Sequence, residues 1–274
     1  MEESGGGKAL RILGKRVKNL VEALGIRQRE HIAFVGAGGK STLMLALAKE
    51  LTTKGYRVVT STTTKVWREQ AEKAPYIILT ESSPGWMDEL KEAIELSRHA
   101  FLGEKILPSD KVQGIAPEIA NELYEESVSD YLMIEADGAA GKPVKAPAGH
   151  EPVIPRSTTL VVAVIGLDAL GKPCLPETVF RLDDFLRVTG AERGEILTPE
   201  LVAKLVRHDM GSFKECPEGA RKALFLNRAD LLEDTKPVEQ LLDLVAGPDR
   251  IIVGSLKDQS YFFTKQRRRY ERYL

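Results

Sequence analysis

The residues of this chain with the clearest chemical signature are the seven at positions 36–42, which read Gly-Ala-Gly-Gly-Lys-Ser-Thr. Glycines let successive backbone N–H groups turn toward one anion, and a helix that follows adds the positive end of its dipole. In such loops the lysine reaches the terminal phosphates of a nucleotide and the next hydroxyl binds Mg²⁺. The segment predicts a phosphate-binding loop whose contacts with GTP or ATP are Gly36, Ala37, Gly38, Gly39, Lys40, Ser41 and Thr42.

This loop is shorter than the common pattern G-x-x-x-x-G-K-[ST], which would require glycine at position 34. Phe34 stands there instead, so the loop begins at Gly36 and resembles the short G-T-x-G-K-T loop of the Mur ligases. The alternative is a glycine turn that binds nothing. We disfavour it because three glycines lower the stability of helices and strands, which folding alone does not explain.

A threonine-rich segment, Thr60-Ser-Thr-Thr-Thr-Lys65, follows the second expected strand. Ligands of parallel sheets bind beyond the carboxyl ends of the strands. We therefore expect Thr62 and Lys65 to contact bound phosphate. Threonine also favours strands, so the alternative is that these residues only continue the strand.

Two carboxylates, Glu135 and Asp137, end the apolar segment that begins at Tyr131. Side chains alternate along a strand, so the two acids can share one face. One carboxylate there can hold Mg²⁺ directly or through water, and another can orient an attacking water. We predict catalytic roles for Lys40, Glu135 and Asp137, and a metal site formed by Ser41 and Asp137. Two solvated acids at a strand end are the alternative.

A later strand runs into Asn227-Arg-Ala-Asp230, which resembles the N-K-x-D motif by which GTPases recognise the base. In that reading Asp230 accepts hydrogen bonds from guanine, Asn227 braces the loop, and Arg228 covers the ring with its stem and planar head. Another strand ends at Gly254-Ser-Leu256, where GTPases carry a second loop at the base. The alternative is a helix N-cap around Asp230.

The segment Gly138–Pro155 is rich in proline and glycine and directly follows Asp137. Long irregular segments inside a compact domain are usually functional or disordered, and we expect this one to border the site rather than to form core. Lys145 could meet an anionic ligand. His150 could act as an acid, a base or a metal ligand, or simply be exposed.

The elements that must position these residues follow from apolar periodicity. Strand, glycine loop, helix and strand are predicted at His31–Val35, 36–40, Ser41–Lys54 and Arg57–Thr60, which is a βαβ unit. Further strands are expected at Tyr76–Leu79, Tyr131–Glu135, Leu160–Ile165, Ala223–Asn227 and Arg250–Val253. Helices are expected at Leu10–Leu24 (capped by Gly25), Gly85–Arg98, Pro117–Glu126, Val179–Val188, Glu200–His208 and Pro237–Val245.

The pattern predicts an α/β fold: a doubly wound, mostly parallel sheet of the P-loop NTPase type with a small helical insertion. We expect an N-terminal tail and helix over 1–29, a nucleotide-binding domain over 30–256 and a basic C-terminal tail over 257–274. Residues 166–220 are the expected helical subdomain. The basic run Lys265–Arg272 is expected to be a solvated helix.

Composition excludes several classes of function. The net charge of −1 provides no field that would draw the chain to nucleic acid or an anionic membrane. The longest apolar runs fall far short of a membrane helix, and the first residues carry no apolar signal segment. Cys174 and Cys216 have no Cys or His at ligand spacing, which fits a reduced, cytoplasmic protein without structural zinc.

Together the motifs at Gly36–Thr42, Thr62–Lys65, Glu135–Gly138, Lys145–Pro147, His150–Pro155 and Asn227–Asp230 resemble the selenium-dependent hydroxylase accessory proteins, the YqeC family. The resemblance runs from about residue 30 to 256. It implies a role beside selenium-containing molybdenum hydroxylases or their cofactor-assembly proteins, in maturation or insertion of the cofactor.

Three functions remain open at this point. The first is an Mg²⁺-dependent, slow P-loop NTPase that favours GTP over ATP and assists cofactor assembly. The second is an ATP-dependent kinase or ligase acting on a small substrate. The third is a non-hydrolysing chaperone whose nucleotide orders the fold. The sequence leaves a homodimer open.

Overall fold

The structure is a computed structural model and describes residues 14–264. Strands β1 to β15 of this part of the chain are, in order, Lys15–Val17, Glu30–Gly36, Val58–Thr62, Lys65–Trp67, Ile77–Leu79, His99–Gly103, Lys105–Ile106, Lys111–Gln113, Tyr131–Glu135, Val144–Lys145, Leu160–Gly166, Val179–Phe180, Arg221–Asn227, Arg250–Ser255 and Ser260–Thr264. The α-helices α1 to α8 are Leu20–Leu24, Lys40–Thr53, Arg68–Ala71, Trp86–Ser97, Pro117–Glu125, Leu182–Thr189, Pro199–Arg207 and Lys236–Leu244.

The main sheet has ten strands in the order β1-β15-β14-β13-β11-β2-β9-β3-β6-β5. The strands from β14 to β5 all run parallel, and β15 is antiparallel to β14. The chain proceeds outward from β2 in both directions, with β9 on one side and β11 on the other. This confirms the predicted doubly wound α/β fold, and it places the end of β2 where the strand order reverses, the position at which such sheets bind ligands.

Both faces of the sheet are covered by apolar side chains. On one face Phe34 and Val164 pack with the side chains Leu43 and Leu47 of α2. The opposite face, which includes Ala33, belongs to a second cluster with side chains of α6 and α7. A strand with apolar residues at every position must be buried on both sides. Burial on both faces therefore explains the runs of Val, Ile, Leu and Phe in the central strands.

The prediction of one continuous helix over Leu10–Leu24 is wrong, because part of this segment forms a strand. Lys15–Val17 forms β1, which pairs antiparallel with β15, and the helix runs only from Leu20 to Leu24. The pairing partner lies more than 240 residues further along the chain, so local periodicity could not reveal it. Gly25 caps α1 in the left-handed conformation, as predicted. Residues 10–13 lie outside the described residues.

The predicted C-terminal tail also begins later than residue 257. Ser260–Thr264 forms β15 and pairs with β14, so the sheet continues past 256. Its aromatic side chains Tyr261 and Phe262 are buried, which explains why this segment is held against the sheet. The predicted helix Lys265–Arg272 lies outside the described residues.

The segment 166–220 crosses over from β11 to β13 and covers one face of the sheet. Phe185 and Leu205 of its helices belong to the same apolar cluster as strand residues of β11 and β13. The helix predicted over Val179–Val188 starts only at Leu182, because Val179–Phe180 forms β12 and pairs with β10. The helices are therefore part of the main core.

Several strands of the structure were not predicted from the sequence. His99–Gly103 pairs parallel with β3, and β4, β7 and β8 form a small antiparallel sheet beside it. These segments have two to five residues and contain Lys, Gln or Gly, so their strand pattern is weak.

No helix within residues 14–264 is long and apolar enough to cross a membrane.

Two buried histidines lie in the main sheet. The ring of His31 contacts the Ser157 hydroxyl at 2.9 Å, and that of His99 contacts the Thr60 hydroxyl at 3.0 Å. Burial lowers the pKa of His31 to about 3 and that of His99 to about 4. Both rings are therefore neutral in the folded protein near neutral pH, whereas an unfolded chain protonates them near pH 6.5.

We expect acid to destabilise the fold through these two rings. Between pH 7 and pH 5 the unfolded state takes up protons that the folded state does not, so the free energy of unfolding falls by about 2 kcal/mol for each histidine. Urea unfolding at the two pH values measures this. His99→Asn should remove about half of the change. An unchanged pH dependence in His99→Asn would contradict the assignment.

Candidate functional site

The glycine loop connects β2 to α2, and its backbone requires glycine at two positions. Gly38 and Gly39 have φ values of 81° and 124°, in the region that favours glycine. A Cβ atom at Gly38 would lie 2.3 Å from the backbone nitrogen of Gly166, and one at Gly39 would lie 2.7 Å from Nδ2 of Asn227. The close approach of a backbone atom at Gly38 and of a side-chain atom at Gly39 therefore requires glycine at both positions. Phe34 lies inside β2, which runs to Gly36, so the loop starts late as predicted.

Three hydrogen bonds, each donated by a backbone N–H group of the loop, hold the loop to neighbouring segments. The N–H of Gly36 donates to Oδ2 of Asp137 at 3.0 Å, that of Ala37 to the Val164 carbonyl, and that of Gly38 to the Lys142 carbonyl. The N–H groups of the first turn of α2 have no intrahelical acceptor, and Gly39 supplies no side-chain cap. The free donors therefore begin at the helix start, where an anion is stabilised.

Lys40 is buried and surrounded by acceptors. Its Nζ donates to the Gly36 carbonyl at 2.7 Å and lies 3.1 Å from Oδ1 of Asp137 and 3.5 Å from Oε1 of Glu135. Burial lowers the pKa of Lys40, but the two carboxylates outweigh this effect and raise it above its ordinary value. The side chain is therefore a permanent cation beneath the loop.

Ser41 lies beside Glu135 rather than beside Asp137. The Ser41 hydroxyl donates to Oε2 of Glu135 at 2.6 Å. Thr62 is fully buried and its hydroxyl donates to the Glu135 carbonyl at 2.7 Å, so it braces the end of β9. Thr42 is exposed at the start of α2. The predicted pair of Ser41 and Asp137 is thus not in contact, and Glu135 is the acid next to the hydroxyl.

Asp137 is held between two lysines. Besides Lys40, Nζ of Lys145 lies 3.1 Å from its Oδ2, and both side chains are almost fully buried. Lys145 in turn lies 2.8 Å from Oε2 of Glu151, which Arg181 approaches to 3.6 Å. Burial raises the pKa of Glu151, but Lys145 and Arg181 outweigh it and lower the pKa below its ordinary value. The segment after Asp137 therefore borders the loop as predicted, but much of it is buried, contrary to expectation.

Asn227 connects the glycine loop to the loop that follows β14. Its Nδ2 donates to the Gly38 carbonyl at 2.8 Å, and its Oδ1 accepts from the Leu256 N–H at 3.2 Å. Asp230 lies in a short 3₁₀ turn, is half-buried, and its carboxylate has no hydrogen bond or ion pair among the residues that the structure describes. Arg228 pairs with Asp168 at 2.9 Å.

Two predicted residues lie apart from the loop. Lys65 is exposed on β4, in the small antiparallel sheet, and makes no contact with the loop within residues 14–264. His150 is exposed and has no partner in the same part of the chain, which agrees with its simpler interpretation.

Three charged residues near the site were not predicted from the sequence: Asp168, Arg181 and Lys214. Lys214 is buried and donates to the carbonyls of Ala148, Gly149 and Glu151 at 2.7–2.9 Å. Asp168 follows a strand end at the carboxyl edge of the sheet, and this position could have indicated it. No sequence signal marks the other two, because their partners come from distant segments.

The sheet order and the loop at its switch point define an α/β protein of the P-loop type. The sequence profile of the YqeC protein family matches residues 32–183, and the chain belongs to this family. A relative from Escherichia coli (strain K12), described as uncharacterized protein YqeC, is 35% identical over 224 residues, which cover 81% of this chain and 86% of the relative.

Remote similarity to solved structures was also found. The signal recognition particle 54 kDa protein of Aeropyrum pernix K1 in complex with GDP matches with a TM-score of 0.39 and 12% identity, over 89% of this chain and 46% of that chain. Chloroplast FtsY of Physcomitrella patens matches with a TM-score of 0.40 and 11% identity, over 90% of this chain and 65% of that chain. This chain thus spans less than two thirds of either, and the fold class follows from the sheet order itself.

We expect Lys40→Met to lower the free energy of unfolding by about 3 kcal/mol, because it leaves Glu135 and Asp137 buried without this counter-charge. Urea unfolding measures the loss, with the exposed Lys49→Met on the same helix as the matched control, expected within about 0.5 kcal/mol of the wild type. Equal stability of the two variants would contradict the electrostatic role of Lys40.

Proposed function

We propose that this protein binds a nucleotide together with Mg²⁺, favours GTP over ATP, and assists the maturation of a selenium-dependent molybdenum hydroxylase. The observation that carries the nucleotide site is the position of the glycine loop, at the switch point of the parallel sheet and at the start of α2. Strand ends, helix dipole and free N–H groups all favour an anion there.

The phosphate end of this site would use residues 38–42. The N–H groups at the helix start and the Lys40 ammonium supply the positive charge. Thr42 is exposed beside them and can add its hydroxyl. These groups suit a di- or triphosphate, because the N–H donors of the helix start and one lysine cation belong to the same loop.

The magnesium end would use the Ser41 hydroxyl, with Glu135 as its neighbouring acid. The 2.6 Å contact between them supports a metal held by Ser41 and phosphate oxygens, with Glu135 acting through water. Asp137, the acid first proposed as a metal ligand, is already neutralised by Lys40 and Lys145. We therefore assign the metal side to Glu135 rather than to Asp137.

The base would lie beyond Asn227. Asn227 is hydrogen-bonded to both the glycine loop and the loop after β14. Asp230 follows it in the chain, and its carboxylate has no hydrogen bond or ion pair within residues 14–264. A carboxylate accepts hydrogen bonds only, so it suits the N1–H and amino group of guanine and not the N1 acceptor of adenine. This is the support for GTP over ATP.

Hydrolysis, in this proposal, is slow. The residues of the site position and neutralise phosphates, as expected of enzymes that depend on alignment and electrostatics. The role beside a molybdenum hydroxylase is supported by membership of the YqeC family and by the motif resemblance that the sequence carries.

Replacing the magnesium hydroxyl tests the metal side of the proposal. We expect Ser41→Ala to bind GTP at least tenfold more weakly than the wild type when Mg²⁺ is present, and about equally when Mg²⁺ is chelated, because only the metal-linked contact is lost. Calorimetric titration with GTP and ATP, with and without Mg²⁺, measures this. The exposed Thr53→Ala at the far end of α2 is the control. Failure of the wild type to bind either nucleotide would overturn the proposal.

Replacing the unpaired carboxylate tests the base. Asp230→Asn should weaken GTP binding tenfold or more and leave ATP binding within about threefold, because an amide cannot accept both guanine N–H groups. The exposed Glu233→Gln three residues later should change neither affinity. A GTP-to-ATP affinity ratio that is the same in wild type and Asp230→Asn would remove Asp230 from the base site.

A further inference from the structure

The ammonium of Lys40 is already engaged in this structure, since it donates one hydrogen bond and lies at ion-pair distance from two carboxylates. A lysine carries three N–H donors. Three acceptors surround Nζ: the Gly36 carbonyl at 2.7 Å, Asp137 at 3.1 Å and Glu135 at 3.5 Å. A phosphate oxygen that approaches Lys40 therefore competes with these partners for the ammonium, and Asp137 is the nearer of the two carboxylates.

Releasing Asp137 is costly unless another cation remains beside it. Asp137 is 1% exposed, and burying a carboxylate without a partner is strongly unfavourable. Its Oδ2 also accepts the Gly36 N–H at 3.0 Å and so fixes the start of the loop. The carboxylate must stay charged and in place while Lys40 moves.

Lys145 is the second cation. Its Nζ lies 3.1 Å from Oδ2 of Asp137, and its side chain is fully buried. β10, which carries Lys145, is paired with β12, and Glu151 holds Nζ from the other side at 2.8 Å. The lysine is thus fixed by both backbone and charge.

We infer that Lys145 is a positioning residue of the phosphate site, which holds Asp137 beneath the loop so that Lys40 can release this carboxylate and bind a phosphate. This inference rests on the proposed function and deepens it. Three cations and three anions form the cluster, namely Lys40, Lys145 and Arg181 with Glu135, Asp137 and Glu151. Without Lys145, a released Asp137 would keep only the Gly36 N–H.

A purely structural role, anchoring the segment 138–155, is the competing explanation. Lys214 provides a matched comparison, because it is also a buried lysine and holds the same segment, through the carbonyls of Ala148, Gly149 and Glu151. It contacts backbone and does not contact Asp137. Loss of Lys214 loosens the segment and leaves the charge of Asp137 paired.

The experiment measures the affinity for inorganic triphosphate and for GTP, both with Mg²⁺, by calorimetry, and the stability of each ligand-free variant by urea unfolding. Lys145→Met should bind both probes at least tenfold more weakly than the wild type. The double variant Asp137→Asn/Lys145→Met should bind within about threefold of Asp137→Asn alone, because the charge that required Lys145 is gone. Lys214→Met should bind within about threefold of the wild type.

The outcomes separate the inference from the proposed function. Binding by the wild type with equal binding by Lys145→Met overturns the inference and leaves the function standing. Equal losses in Lys145→Met and Lys214→Met, or a double variant tenfold weaker than Asp137→Asn, assign a structural role and also overturn it. If the wild type binds neither probe, both fail. If Lys145→Met does not fold, the comparison of Asp137→Asn with the double variant decides alone: equal affinities support the inference.

Discussion

The position of one buried carboxylate governs the arrangement of this site. Asp137 is 1% exposed and forms ion pairs with Lys40 and Lys145, each 3.1 Å from one of its two carboxylate oxygens. The same carboxylate accepts the N–H of Gly36 and so holds the start of the glycine loop. Buried charges need partners in a low-dielectric interior. The ion pairs of Asp137 therefore connect the glycine loop, the end of β9 and the buried segment that follows β9.

The parallel sheet is what brings these groups to one edge. β2, β9, β11 and β13 lie side by side and run in the same direction, so their carboxyl ends meet. The glycine loop, the two acids and Asn227 each follow one of these ends. Asn227 then ties the phosphate loop to the loop after β14 through two hydrogen bonds. The strand order therefore sets the geometry of the candidate site.

Local signals predicted the elements well where the chain is buried on both faces or has clear helical periodicity. Tyr131–Glu135 is a strand with the predicted bounds, and helix α5 ends within one residue of its prediction. The prediction failed where pairing decides structure: Lys15–Val17 is a strand because Tyr261–Phe263 pairs with it. Short strands such as Val144–Lys145 carry no period that a sequence could display.

The sequence by itself determined that a glycine loop with a lysine and a serine joins a buried strand to a helix, and that two acids and an Asn-Arg-Ala-Asp motif follow later strands. Residue type and spacing suffice for this, because the chemistry of each motif is local. Only the tertiary structure decided which acid meets Ser41, which lysines hold Asp137, and that Lys65 and His150 lie apart from the loop. Those contacts join segments distant in the chain, and the need to pair every buried charge selects among them.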